Sequence, residues 1–358
     1  MKKKITYIEA INEAFHQEME SDERVIIIGE GVPDPKNIFG STKGLYEKFG
    51  RSRVYDMPLS ENGITGCCIG AAISGLRPII VHQRLDFALL SLDQIINNAA
   101  KWFYMFNGQS PVPMVIRMII GRGWGQGPQH AQSYQSFFAH IPGLKVVMPS
   151  SPADAKGLML AAIRDNNPVI FIEHRWLHNS IGYVPEKAAI TSIGKCKILK
   201  KGSDITLVGI SFMVIESIIA ANILKEVLNI KVEVIDVRTL RPFDFETIIK
   251  SVKKTKYLII ADTDHEFCGF ASEILSTISQ KCFKFLNNSP VIVASPNYSS
   301  PTSHALMKNY YPTAKNIVDI IVKTLKLKIS KLNLNLIEKK LKRNSCHDVP
   351  DQNFKGPF

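Results

Sequence analysis

SPADAKGLMLAAIRDNNPVIFIEH, residues 151–174, is a helix and a strand written back to back. Ser151 stands where an N-cap belongs, and Pro152 takes the first turn, where its fixed φ and missing N–H do no harm. Ala155, Leu158, Met159, Ala162 and Ile163 recur at the spacing of one buried helical face. Pro168 closes the helix, and the apolar run that follows is strand-length. A near-continuous apolar strand next to a helix is the repeating unit of a parallel sheet covered on both faces.

The alternation continues in both directions. Upstream, TYIEAINEAFHQEME reads as a helix capped by Thr6, RVIIIGE and RPIIVHQ as strands, SLDQIINNAAKWFYMF as a helix, and PVPMVIRMII and LKVVMPS as strands. Residues 181–203 change character and read as a connector with an edge hairpin. Beyond it DITLVGI, KVEVIDV, YLIIADT and PVIVAS are strands, separated by the helices VIESIIAANILKEVL, FDFETIIKSV and FASEILSTIS. The expected architecture is therefore α/β, with two parallel-sheet domains at 1–185 and 203–325, a connector at 186–202, and a basic C-terminal extension at 326–358.

Bulk properties narrow the function. The 358 residues suffice for two domains, and 45% hydrophobic with 21% charged residues is ordinary for a globular protein. No apolar run is long enough to span a bilayer, and the start lacks the apolar core of a secretory signal, so a cytoplasmic location is expected. The net charge of +12 is concentrated in Lys2–Lys4 and in KTLKLKISKLNLNLIEKKLKRN near the C-terminus. Charge at the ends suits a solvated tail, or one docked on a neighbouring subunit with Phe354 and Phe358 as anchors and Pro350 and Pro357 stiffening it. No nucleic-acid or membrane partner is expected. The six cysteines include no C-x-x-C pair, and Cys67 and Cys68 read as small core residues.

Two stretches could carry chemistry. In DMPLSENGITGCCIGAAISGLRPI, Ser60 and Glu61 stand at the mouth of a run of small apolar residues. Glu61 is either a partner of the helix dipole behind a Ser60 cap or a buried acid whose proton is used. GRGWGQGPQHAQSYQSFFAHIPG opens with four glycines, Gly121, Gly123, Gly125 and Gly127, and a histidine, His130, leaves the loop. It is either a functional loop or a surface loop with an incidental His; His140 suits a helix C-terminus. Dinucleotide, Walker A, nucleophile-elbow and zinc-protease signatures do not occur.

The segments LSENGITGCCIGAAISGLRPI, DQIINNAAKWFYMFNG, PVPMVIR, PQHAQS, HIPGLKVVMPSSPADAKGLMLAAIRDNNPVIFIEH and VIDVRTLRPFD, in this order, resemble the beta subunit of thiamine-diphosphate-dependent 2-oxo acid dehydrogenases. These are the decarboxylating components of the pyruvate, branched-chain 2-oxo acid and acetoin dehydrogenase complexes. The resemblance covers about residues 5–325. It implies a transketolase-like pyrimidine-binding domain followed by a transketolase C-terminal-like domain, oxidative decarboxylation of a 2-oxo acid with pyruvate favoured, and acyl transfer to the lipoyl domain of an acyltransferase component.

Residue by residue, the resemblance implies that Glu61 hydrogen-bonds the aminopyrimidine N1′. A carboxylic acid there promotes the imino tautomer, which is basic enough to take the cofactor's C2 proton. It places Phe87 on the pyrimidine ring and makes His130 the histidine at the reacting centre, although Ala131 stands where relatives have Ser. It implies a potassium site from Asp165 and Asn167 with backbone carbonyls of Ala162, Ile163 and Met114; a helix C-terminus capped by Asn and stopped by Pro explains the same residues. The GDG motif that holds Mg²⁺-diphosphate is absent from the sequence. An alpha subunit is therefore expected to supply that end, in an α2β2 heterotetramer. QRLDFALLSLDQ and ADTDHEFCGFASEI, with His265, depart from the family patterns. A transketolase-like or acyloin-forming subunit and a non-catalytic scaffold are the competing readings.

Overall fold

The computed structural model describes residues 1–121 and 126–343; Gly123, Gly125, Cys346 and the anchors proposed for the end of the tail lie outside them. The first domain is built on a seven-stranded sheet in the order Thr239–Arg241, Lys145–Val147, Val169–His174, Val115–Ile120, Arg77–His82, Val25–Gly29, Val54–Tyr55. All of its pairings are parallel except that of Thr239–Arg241 with Lys145–Val147. The second domain is a five-stranded sheet in the order Val291–Ser295, Leu258–His265, Ile205–Gly209, Val232–Asp236, Lys197–Lys200, with only the last strand antiparallel. The strands read from the sequence are all present.

Local signals act as the residues dictate. Thr6 and Glu9 form a reciprocal capping box at the start of the Tyr7–Ser21 helix. Ser151 Oγ accepts from Asp154 N–H and Pro152 opens the Pro152–Arg164 helix. These two helices pack together on one face of the larger sheet, around Tyr7, Phe15, Leu158, Met159 and Ile163. On its other face one apolar cluster runs without a break from Ile80, Ile95 and Phe138 into Ile235, Leu240 and Ile274 of the second domain. A shared core of this kind fixes the two sheets relative to each other.

The structure corrects three expectations. Ile181–Pro185 pairs with Lys2–Thr6, and Lys197–Lys200 is an edge strand of the second sheet, so the connector holds no hairpin. SLDQIINNAAKWFYMF is not one regular helix but a π-helical stretch, Gln94–Ala99, followed by an α-helix, Ala100–Met105. Only Cys68 of the adjacent pair is buried; Cys67 is exposed.

The extension also differs from both readings offered for it. Lys331–Leu341 is a helix capped by Ser330, lying on the Met213–Leu228 helix of its own domain. Its anchor is Ile337, while Leu332, Leu334 and Leu336 are exposed. Lys340 pairs with Glu226 and Arg343 with Glu216. Like-charge repulsion along the segment is thus offset by acids on the helix beneath. Ile337→Ala is expected to lower the unfolding free energy by about 2 kcal/mol, the low end for a buried aliphatic truncation. Leu332→Ala is expected to change it by less than about 0.5 kcal/mol, both read from urea denaturation.

Candidate active site

Because the strands of the larger sheet are parallel, their carboxyl ends emerge along one edge, where open α/β sheets bind ligands. Glu30 follows the Val25–Gly29 strand, Gln83 and Arg84 follow Arg77–His82, the loop to His130 follows Val115–Ile120, and Arg175 follows Val169–His174. The edge therefore gathers charged and polar side chains that are far apart in sequence.

Glu61 is the first residue of the Glu61–Ile73 helix and is only 8% exposed. Ser60 occupies the cap position but its hydroxyl accepts no capping bond. Capping by Ser60 is therefore not what places the acid; the helix N-terminus itself favours a carboxylate there. Glu61 lines a small, tight pocket walled by Glu30, Met57, Val81, His82, Gln83 and Phe87. Gln83 Nε2 donates to Glu30 O at 2.8 Å. Asp56 Oδ1 accepts from Gly31 N–H and Met57 N–H, at 3.0 and 2.9 Å, and holds the loop that precedes Glu61.

Electrostatics in this pocket are those of a dry site. Burial raises the Glu30 carboxyl, and the neighbouring Glu61 and Asp56 raise it further. His82 is fully buried and is pushed down to about 4, so it is neutral at pH 7. Glu30 Oε1 and His82 Nε2 are buried and have no hydrogen-bond partner among the described residues. Unmet polar atoms cost stability and ask for a ligand.

Phe87 and His130 are brought together, with ring centroids 5.4 Å apart and planes at 90°. The His130 segment is held from both domains. Gln132 Nε2 donates to Asp86 Oδ1 at 2.6 Å, and Arg84 Nη2 donates to Gln126 Oε1 at 2.7 Å. From the second domain, Ser300 Oγ donates to Gly127 O at 3.0 Å, and Asp262 Oδ1 accepts from Gln135 Nε2 at 2.7 Å. Gly127 has φ +70°, and a Cβ there would meet Thr302 Oγ1 at 2.5 Å, so the close approach of the domains requires glycine. Asp262 and Asp264 are both buried and raised, chiefly by burial, and Asp264 also by the charge of Asp262. Pro296 O accepts from His265 Nδ1 at 2.8 Å. His140 ends the Gln135–His140 helix and is exposed.

The residues of the expected potassium site lie at the opposite, amino edge of the sheet. A six-residue strand puts that edge roughly 20 Å away. Arg77 Nη1 donates to Ile163 O and Asp165 O at 2.9 and 3.0 Å, and Lys145 pairs with the Asp165 carboxylate. Asp165 Oδ1 accepts from Asn167 N–H at 2.9 Å, Ala162 O accepts from Asp165 N–H at 3.3 Å, and Met114 O from Val169 N–H at 3.0 Å. The carbonyl oxygens of Met114, Ala162 and Ile163 and the Asp165 carboxylate each already accept a hydrogen bond, and each carbonyl keeps a second lone pair. Among the described residues, no three His, Cys, Asp or Glu side chains are grouped to hold a metal ion, and no helix is long and apolar enough to cross a membrane.

Glu61 and Phe87, singled out in the sequence, share this pocket with Glu30, His82 and Gln83, which were not, and His130 meets it through the Phe87 ring. The only signal available for Glu30, His82 and Gln83 was their position at the ends of apolar strands.

Comparison with known proteins places this geometry. Residues 3–179 match the family described as transketolase, pyrimidine binding domain, and residues 194–317 match transketolase, C-terminal domain. The chain is 40% identical over 319 residues to the pyruvate dehydrogenase E1 component subunit beta of Rickettsia felis, covering 89% of this chain and 98% of that one. It is 41% identical over 337 residues to the acetoin:2,6-dichlorophenolindophenol oxidoreductase subunit beta of Cupriavidus necator, covering 91% and 99%. A solved structure titled split gene transketolase, inactive beta4 tetramer, shares the fold with a TM-score of 0.73 at 20% identity, covering 91% of this chain and 99% of that one.

His82 gives the pocket a pH signature. Its folded value of about 4 lies below the ordinary value of about 6.5, so above about 6.5 it is neutral in both states and folding is unpenalised. As pH falls from about 6.5 towards 4 the unfolded chain takes up a proton that the folded one refuses, and this contribution to stability is lost. The urea midpoint is expected to fall between pH 7 and 5, with a shallower fall in His82→Phe.

Proposed function

The chain belongs to the beta subunits of thiamine-diphosphate-dependent 2-oxo acid dehydrogenases, and we propose that its cleft holds the pyrimidine end of the cofactor while an alpha subunit supplies the Mg²⁺-diphosphate end. The reading rests on one observation above others: a nearly buried carboxyl, Glu61, at a helix N-terminus, facing a pocket with unmet polar atoms. The residues fit a flat heteroaromatic ring. Phe87, Met57 and Val81 offer apolar faces, and Glu61, Glu30 and His82 offer groups for ring and exocyclic nitrogens.

Thiamine diphosphate held there would supply the nucleophile for a 2-oxo carbon and an electron sink for decarboxylation. The protein's part is positioning and proton control. Glu61 holds a proton at the ring nitrogen, and the dry pocket strengthens that bond. Glu30 beside it is raised by burial and by the nearby Glu61 and Asp56, which makes its charged form less favourable there. His130, edge-on to Phe87, presents an imidazole at the mouth of the pocket, where it holds or gives a proton as the acyl group moves to a lipoyl domain. Pyruvate is the proposed substrate. A structural potassium ion would join the oxygens of Met114, Ala162, Ile163, Asp165 and Asn167, away from the chemistry.

Surface chemistry supports a partner subunit. Leu59, two residues before Glu61, is 85% exposed, and Phe103, Tyr104, Met105 and Phe106 are a run of exposed apolar side chains. An α2β2 heterotetramer would cover them. The 41% likeness to the Cupriavidus necator chain supports a second substrate within the same family, acetoin, rather than the acyloin-forming competitor.

Two measurements decide. In the complex assembled with its alpha subunit, Glu61→Gln and Glu61→Ala are expected to lose at least about 10²-fold in turnover, the scale of a general acid–base group, with assembly retained. Near wild-type turnover by assembled Glu61→Ala would sink the reading. Pyruvate is expected to be decarboxylated with a higher kcat/KM than acetoin is oxidised; the reverse order would move the chain to the acyloin class.

A further inference from the structure

Arg84 links the Arg77–His82 strand to the short Leu85–Ala88 helix and is 4% exposed. Its Nη2 donates to Gln126 Oε1, but its Nη1 is buried with no partner among the described residues. No carboxylate there lies within ion-pair distance of it; Asp86, two residues on, is engaged by Gln132 instead. A guanidinium cannot shed its charge by deprotonating. Burying one with a donor unmet is costly unless a ligand arrives.

Its position argues that the ligand is a substrate. Arg84 and Asp86 grip Gln126 and Gln132, the two ends of the segment that carries His130. Phe87, on the same turn, meets the His130 ring. Arg175, at the end of another strand of this edge, is pushed down to about 10 by burial and next by the charge of Arg84, so two guanidinium groups converge here. Arg175 is itself engaged, by His178 and over the Phe39 ring. A buried positive field with one unmet forked donor matches a carboxylate.

We propose that Arg84 is the carboxylate anchor of the cleft, binding a 2-oxo acid through its unmet donor and so setting which substrates enter. The proposal rests on the thiamine-dependent reading above. The carboxylate is either the one lost as CO₂ or a second one at the far end of a dicarboxylic 2-oxo acid, and the substrates tested tell these apart.

The experiment uses the assembled alpha–beta complex carrying Arg84→Met or Arg84→Lys, with pyruvate, 2-oxoglutarate and the uncharged acetoin as substrates. Arg84→Met is expected to raise the KM for carboxylate substrates, relative to acetoin, by about 10- to 100-fold, the range of a charge-assisted hydrogen bond. Arg84→Lys, which keeps the charge without the fork, is expected to fall between. Equal losses for pyruvate and 2-oxoglutarate assign the departing carboxylate; a wild-type preference for 2-oxoglutarate, with the loss confined to it, assigns the distal one. Binding of oxamate, an unreactive carboxylate analogue, is measured by calorimetry, so that a complex inactive on every 2-oxo acid refutes the function while still testing Arg84. Oxamate affinity unchanged in both variants overturns the anchor and points to an acid of the alpha subunit as the partner. A parallel loss of thiamine diphosphate affinity overturns it as well, by making Arg84 a prop for the fold.

Discussion

The site depends on the seam between the two sheets. Thr239–Arg241 belongs by sequence to the second domain, yet it is the outermost strand of the first sheet. Beside it Asp154, buried near the start of the Pro152–Arg164 helix, accepts from Arg238 Nη1 at 2.9 Å and pairs with Lys197 at 3.1 Å. Burial alone would raise this carboxyl, but Ser151, Lys197 and Arg238 outweigh it and hold it below the usual range. Met148 N–H donates to Arg238 O at 2.8 Å across the same boundary. With the sheets locked, Thr263 Oγ1 and Asp262 meet Ser133 and Gln135 in one register, and the loop bearing His130 has a fixed floor. A buried charge left without its partner costs several kcal/mol, so the lock is hard to break piecemeal.

Buried ionisable groups fall into two kinds, those paired with an opposite charge and those not, and the contrast separates scaffold from site. Arg117 and Glu173, on neighbouring strands, pair in the interior; Ser41 Oγ accepts from Arg117 at 2.8 Å and His178 lies 3.0 Å from Glu173. Burial works against the Glu173 carboxylate, yet Arg117 and His178 bring it to about 2. That network holds its neighbours in place. At the carboxyl edge, by contrast, Glu30, His82 and Arg84 have no ion-pair partner among the described residues, and each keeps a buried atom unmet. Sites of chemistry are expected among the second kind, where the fold bears a cost that a ligand removes.

Much of this was legible in the chain itself. Periodicity fixed the strands and most helices because each signal is local: Ser151 and Pro152 start a helix and Pro168 ends its segment whatever surrounds them. Glu61 and His130 could be singled out because each interrupts its setting, an acid before an apolar run and a histidine after glycines. Glu30, His82 and Arg84 could not, since they become neighbours only once the order of the strands is known, and that order is long-range. The tail was misjudged for a related reason. Its leucines suggested contact, but Ile337 and Leu341 make it while Leu332, Leu334 and Leu336 stay exposed, with Glu216 and Glu226 on another helix fixing which face turns inward.

The exposed run Phe103–Phe106 and the bare Leu59 have a cellular consequence. A chain made without its partner carries apolar side chains that other molecules, including further copies of itself, can cover. Unmatched copies are then a burden on chaperones and proteases rather than a harmless surplus. Synthesis of the two subunits in equal number becomes a physical requirement, and selection is expected to keep their production coupled.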